Sequence, residues 1–300
     1  MLLLSGKEAL EGIKVQLSNK IQYLKKRRLR LPHLIAVLVG NNGASETYVA
    51  SKIKNCEEIG FQSSLIRFNG TVSEPELLQK IQILNEDDLI DGILVQLPLP
   101  KHVDEQKIVN AISAHKDVDG FHPINIGMMV QGVPTFIPAT PYGIILLMQH
   151  YNIETKGKHA VVIGRSNIVG RPISILLSSN KPYGNATVTL CHSHTPNLKE
   201  LSLQADILIA ALGKPGFVKN HMVKENVVVI DVGITRVEDS TAKKGFRIKG
   251  DVSFDEVAPK ASFITPVPGG VGLMTIGALL KNTMHAYLMR NNLTEDIFSE

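Results

Sequence analysis

From residue 34 to residue 100 the chain alternates short unbroken apolar runs with longer segments whose apolar residues recur at helical spacing. Leu34-Ile35-Ala36-Val37-Leu38-Val39 is apolar at every position and closes on Gly40, the pattern of a strand covered on both faces. A turn over 41–45 leads into a helical segment over 44–59, which Gly60 stops. A second short strand is predicted over 64–68, and Ser73-Glu74-Pro75-Glu76 opens a helix with an N-cap serine and a first-turn proline. A third strand over 91–96 stops at Leu97-Pro98-Leu99-Pro100. Strands and helices in this alternation make a parallel sheet.

An amphipathic segment over 7–24 precedes this sheet and ends in Lys25-Lys26-Arg27-Arg28-Leu29-Arg30, cations placed where they suit a helix C-terminus. The stretch 116–141 shows no period and reads as a long functional connection into a helix over 142–151. After Gly157 a second alternation begins, with strands near 160–163, 186–190, 206–210 and 227–231 and helical segments between the earlier ones, a Rossmann-like half. A short strand near 262–265 runs into Pro266-Val267-Pro268-Gly269-Gly270-Val271-Gly272, and an apolar helix over 274–289 is expected to pack back on the first half. Two α/β domains are therefore expected, residues 1–141 with 268–300, and residues 142–267.

Three hundred residues, 44% hydrophobic and 20% charged, suffice for two such cores. No apolar run reaches the length of a membrane helix, and Met1-Leu2-Leu3-Leu4 is too short, and lacks the preceding basic residues, for a secretory signal. Neither a membrane nor export is expected. With Cys56 and Cys191 the only cysteines, no disulfide framework is expected, and a reducing cytoplasm is the default. The net charge of +4 is mostly local to the basic run over 25–30. No aromatic ladder accompanies that run and tryptophan is absent, so nucleic acid is not an expected partner.

The candidate chemistry falls in two places. Val161-Val162-Ile163-Gly164-Arg165-Ser166-Asn167-Ile168-Val169-Gly170 has the form of a strand feeding a helix whose first N–H groups can hold a phosphate, although Ser166 stands where the dinucleotide fingerprint has glycine. No acid occurs between Glu154 and Glu200 to receive an NAD ribose, and Arg165 lies inside the turn; both features favour NADP. Cys191-His192-Ser193-His194 offers either metal ligands or a polar rim for a ribose phosphate; no further cysteine or dense histidine cluster completes a metal site. In the first half, Tyr48 and Lys52 stand four apart and share a helical face, either a solvated one or one aimed at a substrate. Gln96 ends a predicted parallel strand, on the edge where such sheets bind ligands. Asp119, in Lys116-Asp117-Val118-Asp119-Gly120-Phe121, follows the same sheet and can offer a carboxylate to the amidine-like edge of a heterocycle; the alternative for it and for Asp117 is a plain turn with glycine.

Taken in order, Tyr48-x-x-x-Lys52, Asp91 through Pro100, Lys116 through Phe121, Gly164-Arg165-Ser166-x-x-Val169-Gly170-x-Pro172 and Pro266 through Gly272 resemble the bifunctional methylenetetrahydrofolate dehydrogenase/methenyltetrahydrofolate cyclohydrolase family. The likeness runs from about residue 37 to 283. It implies an α/β fold with an N-terminal α/β catalytic domain and a Rossmann-like NADP-binding domain, with a cleft between them. It also implies NADP-dependent oxidation of 5,10-methylenetetrahydrofolate to the methenyl cation, then hydrolysis to 10-formyltetrahydrofolate, by a homodimer. Carried over to this chain, Lys52 is the central catalytic group, Tyr48 stacks on the folate and positions the lysine, Gln96 tunes the lysine, and Asp119 anchors the pterin. Gly164, Arg165, Ser166, Ser193 and Ile234 match the NADP-contacting positions. A cationic product tolerates a neutral lysine better than a charged one, so a lowered Lys52 pKa is expected. Ala139 stands where the family commonly has cysteine, and Leu273 where proline commonly follows Gly-Val-Gly.

Overall fold

The computed structural model describes residues 1–242 and 245–298. Its strands are β1 (Leu2–Leu3), β2 (His33–Val39), β3 (Gln62–Phe68), β4 (Gly92–Val95), β5 (His159–Ile163), β6 (Thr187–Cys191), β7 (Ile207–Ala210), β8 (Val227–Asp231), β9 (Thr235–Glu238), β10 (Phe246–Lys249) and β11 (Ala261–Ile264). The chain divides into two compact units. Gly12–Ala139 with Ile276–Glu300 form one, and Met1–Glu11 with Thr140–Thr275 form the other.

The first unit is built on a three-stranded parallel sheet in the order β3-β2-β4. The middle strand β2 pairs on both sides and is buried from Leu34 to Val39, which is why its sequence is apolar without alternation. One face packs Ile35, Val37, Ile93 and Val95 against Leu77 and Ile81 of the helix Glu74–Glu86. That helix is closed at both ends by side chains. The Ser73 hydroxyl accepts the Glu76 N–H at 3.3 Å, and the buried Lys116 ammonium donates to the carbonyls of Leu84 at 3.0 Å and Asp87 at 2.6 Å.

The basic run after the first helix (Gly6–Lys26) folds back into this unit. Arg30 grips the fully buried Asp91 carboxylate through two bonds of 2.7 and 2.6 Å, and the His33 N–H donates to the same carboxylate at 2.9 Å. One acid thus joins the starts of β2 and β4, and removing the Arg30 guanidinium would leave the buried carboxylate with only the His33 N–H and the longer ion pair to Arg290 at 3.8 Å, which is destabilising. The stretch 116–141, expected to be irregular, contains a short helix, Pro123–Val130, capped by the His122 ring, which accepts the Ile124 N–H at 3.1 Å. Proline at its start was the available signal. Eight residues among glycines and prolines are too few to show a period.

The second unit carries a six-stranded sheet in the order β1-β11-β8-β7-β5-β6, every neighbouring pair parallel. Val161, Ile163, Leu208, Ala210, Val229 and Ile264 form part of its core. From β5 the chain moves to β6 on one side and then to β7 on the other, so the strand order reverses between β5 and β7. Residues 1–11, 140–141 and 268–275 fall on the other side of the division from the sequence-based expectation. Residues 1–11 join this unit because β1 pairs with β11 and the Leu4 and Gly6 N–H groups donate to Ile264 and Gly269 at 2.9 and 2.8 Å. Residues 268–275 join it with the loop that receives them. A two-residue edge strand leaves no hydrophobic pattern to read.

Candidate active site

In the first unit the site grows from the helix Gly43–Ile59. Asn42 caps it, its side-chain oxygen accepting the Ser45 N–H at 3.1 Å. Tyr48, Lys52 and Cys56 follow at four-residue spacing, and the last two are buried, so this stripe faces the protein and not solvent. The Lys52 ammonium lies 4.8 Å from the centre of the Tyr48 ring and donates to Gln96 Oε1 at 3.3 Å. Gln96 is oriented by its own neighbour. Its Nε2 donates to the Leu97 carbonyl at 2.7 Å, which leaves the amide oxygen to face the lysine, while its backbone N–H continues the ladder to Val37 at 2.9 Å.

Lys52 is 5% exposed, and burial lowers its pKa, with the Asp119 carboxylate and then Cys56 pulling the other way. Burial raises the Asp119 pKa, against the attraction of Lys52. Desolvation therefore outweighs the attraction between the two groups and moves both toward their neutral forms. Burial also pushes the Cys56 thiol up to about 12, leaving it inert as a nucleophile.

The two aspartates of the 116–121 stretch separate cleanly. Asp117 is a turn residue: its carboxylate accepts the N–H groups of Gly120 at 3.2 Å and His122 at 2.7 Å and the Asn125 amide at 3.0 Å. Asp119 is the one coupled to Lys52. Its carbonyl receives the Ala139 N–H at 3.1 Å, so alanine at that position keeps the backbone contact. Asn282, which the sequence did not single out, donates to the carbonyls of Val118 and Ile137 at 2.8 and 3.0 Å and so ties the peptide before Asp119 to the 137–138 peptide.

In the second unit the five nucleotide candidates all lie past the C-terminal ends of strands: Gly164, Arg165 and Ser166 after β5, Ser193 after β6 and Ile234 after β8. Gly164 has a φ of +121°, and a Cβ there would lie 2.0 Å from the Ala211 carbonyl; one at Gly170 would lie 1.9 Å from the Gly164 carbonyl. These approaches explain both glycines of the turn. Ser166 does what a fingerprint glycine could not: its hydroxyl accepts the N–H groups of Val169 at 3.1 Å and Gly170 at 3.3 Å, at the start of the helix Gly170–Ser178. Arg165 and Ser193 are exposed. Burial, then Arg165, then His194 lower the His192 pKa, so cationic and imidazole groups gather beyond β5 and β6. Ile234 is exposed and packs over Gly272, where an added Cβ would come within 2.9 Å of its Cδ1. Leu273 sits in the first turn of the helix Val271–Arg290, a position that proline favours but does not require.

Two buried acids on this edge escaped the sequence reading. Asp231, at the end of β8, accepts the N–H groups of Gly233, Asp251 and Val252 at 3.0, 2.8 and 2.9 Å, and burial is the main reason its pKa rises to about 6. Asp251 is fully buried and accepts three successive N–H groups, those of Leu212, Gly213 and Lys214. A glycine beside an Asp-Val pair at both places, Asp231-Val232-Gly233 and Gly250-Asp251-Val252, was the only local signal. Among the described residues no group of three or more His, Cys, Asp or Glu is arranged to hold a metal, and no helix is long and apolar enough to cross a membrane.

A buried, neutralisable lysine in one unit and a phosphate-ready turn at a sheet's strand-order switch in the other define a nucleotide-dependent α/β enzyme. Comparison with known proteins narrows the class. Residues 4–119 match the catalytic domain of tetrahydrofolate dehydrogenase/cyclohydrolase, and residues 138–291 match its NAD(P)-binding domain. The chain belongs to the tetrahydrofolate dehydrogenase/cyclohydrolase family. It is 60% identical over 291 residues to the bifunctional protein FolD of Flavobacterium johnsoniae, covering 97% of this chain and 99% of that one. With the bifunctional protein FolD of Cytophaga hutchinsonii it shares 58% over 290 residues, 97% and 100% of the two chains. The bifunctional FolD structure from Campylobacter jejuni superposes with a TM-score of 0.89 at 47% identity, over 97% of this chain and 99% of that one. The Trypanosoma brucei dehydrogenase-cyclohydrolase, described as complexed with NADP cofactor and inhibitor, gives 0.91 at 34% identity over 96% and 98%.

The Asp231 environment predicts a pH dependence. Its folded-state pKa of about 6 lies above the 3.8 of an ordinary aspartate, so its contribution is complete below about 3.8 and is lost as pH rises through about 6. The loss by neutral pH is about 3 kcal/mol. A carboxyl-carbon NMR titration should place the Asp231 midpoint near 6; a midpoint in the ordinary aspartate range would contradict the account of its burial.

Proposed function

We propose that the first unit binds the folate substrate and supplies the acid-base chemistry through Lys52, and that the second unit holds NADP along the C-terminal edge of its sheet. The activities are those of the family: NADP-dependent oxidation of 5,10-methylenetetrahydrofolate to 5,10-methenyltetrahydrofolate, then hydrolysis to 10-formyltetrahydrofolate. The observation that carries the assignment of roles is the buried Lys52 amine, held by Gln96, lying over Tyr48 and coupled to Asp119.

The donor set of the second unit fits the cofactor. Gly164 and Gly170 let the turn after β5 pack tightly on the carbonyls of Ala211 and Gly164, Ser166 lies at the helix start, and Arg165 and Ser193 suit a 2′-phosphate, with Ile234 an apolar surface on the same edge. NADP, when bound, takes up the hydride that leaves the methylene carbon of the substrate.

The remaining work is done by the first unit. An unprotonated Lys52 adds no positive charge beside the methenyl cation, and its lone pair takes a proton from the water that attacks the bridging carbon. The ammonium so formed returns its proton to N5 as the carbon–N5 bond breaks, and the new hydroxyl releases its own proton as the formyl group forms on N10. Gln96 holds the amine through its oxygen, Tyr48 offers its ring to the substrate and supports the lysine, and Asp119 accepts hydrogen bonds from the amidine-like edge of the pterin. We further infer a homodimer residing in the cytoplasm. The family resemblance supports the first, and two free buried cysteines suit the second. Light scattering should return twice the 32.8 kDa chain mass, and a monomer mass would remove the dimer.

Lys52→Met should abolish hydrolysis of the methenyl compound while NADP binding stays near normal; an unchanged hydrolysis rate would take the lysine out of the mechanism. Arg165→Ala should weaken NADP by roughly tenfold or more and NAD far less, because a charge-assisted bond to the 2′-phosphate is lost. Equal losses for the two nucleotides would refute the phosphate role.

A further inference from the structure

The strand order of the six-stranded sheet reverses between β5 and β7, and in open parallel sheets the crevice beyond such a reversal is where a nucleotide lies. One wall of that crevice is the glycine turn after β5. The other is the segment Ala211-Leu212-Gly213-Lys214 after β7, and the two walls touch where the Cβ position of Gly164 comes within 2.0 Å of the Ala211 carbonyl. Ala211 itself is tied to β5, its N–H donating to the Ile163 carbonyl at 2.8 Å.

The three peptides after Ala211 are held by a single side chain. Asp251 Oδ2 accepts the N–H groups of Leu212 at 2.5 Å and Gly213 at 3.0 Å, and Oδ1 accepts that of Lys214 at 2.7 Å. Successive backbone amides curled around one carboxylate form the concavity that elsewhere receives a free anion. Here the anion is built into the chain and fully buried. Asp251 is in turn held from behind. Its N–H donates to Asp231 Oδ1 at 2.8 Å and its carbonyl receives the Val218 N–H at 2.9 Å, while at Gly250 an added Cβ would strike Asp231 Oδ2 at 1.9 Å. The chain from β8 through Asp231 and Asp251 to residues 212–214 thus fixes one wall of the crevice relative to the other.

We propose that Asp251 is a positioning residue for NADP, setting the height of the 211–214 wall against the glycine turn without touching the 2′-phosphate group. The proposal rests on the reading that the cofactor occupies this edge of the sheet. Asparagine at this position keeps the shape but presents an NH₂ group to at least one of the three amide donors, so the wall can no longer close around it. The loss falls on the part of the crevice common to NADP and NAD, whereas Arg165 acts on the phosphate that distinguishes them.

The test is D251N, with calorimetric titration of NADP and NAD, hydrogen exchange of the peptide carrying residues 212–214, and the nucleotide-independent hydrolysis of methenyltetrahydrofolate. The expected result is a dissociation constant raised about tenfold for NADP and equally for NAD, with faster exchange at 212–214 and unchanged hydrolysis. Unaltered nucleotide affinity would overturn the proposal, as would a parallel loss of hydrolysis, which marks a purely structural residue. If D251N yields no folded protein, D251E, which keeps the charge but misplaces it, decides by the same readouts. Arg165→Ala measured alongside separates the two levels of the argument. If that variant leaves the NADP-to-NAD preference unchanged, the placement of the cofactor fails; if it changes the preference and D251N does not alter affinity, only the role of Asp251 fails.

Discussion

A lysine ammonium removed from water is the constraint on which the first unit depends. Lys52 is buried by its own helix and by the end of β4, and an ammonium in such a place either finds compensation or gives up its proton. The compensation on offer is partial: one amide oxygen at 3.3 Å, one aromatic ring, and a carboxyl group that burial itself moves toward neutrality. A full ion pair would hold the lysine charged and silence it as a base. Partial support leaves desolvation the larger influence, so its pKa is lowered, the direction that the proposed role as a base needs. The surrounding structure serves this balance. Arg30 and Asp91 anchor the start of β4, Leu97 turns the Gln96 amide, and Asn282 fixes the backbone that carries Asp119.

The second unit solves a different problem, the approach of a polyanion to backbone. Its solution is steric first and electrostatic second. Gly164 and Gly170 pack so closely against neighbouring carbonyls that no side chain fits, and Ser166 keeps the helix-start amides paired with its hydroxyl. Charge enters at the rim through Arg165. The acids lie beneath the surface, where their lone pairs are taken up by backbone N–H groups.

Much of this was legible in the sequence, for reasons particular to each element. β2, β5, β7 and β8 sit inside parallel sheets, so their apolar runs are unbroken and easily read. β1 and the β9–β10 hairpin are short and exposed in part, and neither announced itself; β1 moved residues 1–11 from one unit to the other. Helical spacing put Tyr48 and Lys52 on one face and a strand end put Gln96 at the sheet edge, but spacing could not say whether that helix face was wet or dry. The fold does, since Lys52 and Cys56 are both buried. Nor could spacing decide between a plain turn and a binding carboxylate at Asp117 and Asp119. What distinguishes them is that three donors converge on Asp117, and those donors are set by the turn itself. Asp251 left only the faint signal of a glycine beside an Asp-Val pair, because its partners are backbone amides 37 to 39 residues away.

The central claim is that Lys52 is held by its surroundings in a state where the neutral amine is accessible. Its direct test is an NMR titration of the lysine ε-carbons in the intact protein, with the Lys52 resonance assigned by its disappearance in Lys52→Met. The account predicts a Lys52 midpoint clearly below that of the exposed lysines, because desolvation outweighs the attraction of Asp119. A midpoint at or above theirs would mean that Asp119 holds the ammonium charged, and the proton transfer assigned to Lys52 would have to be given to another group.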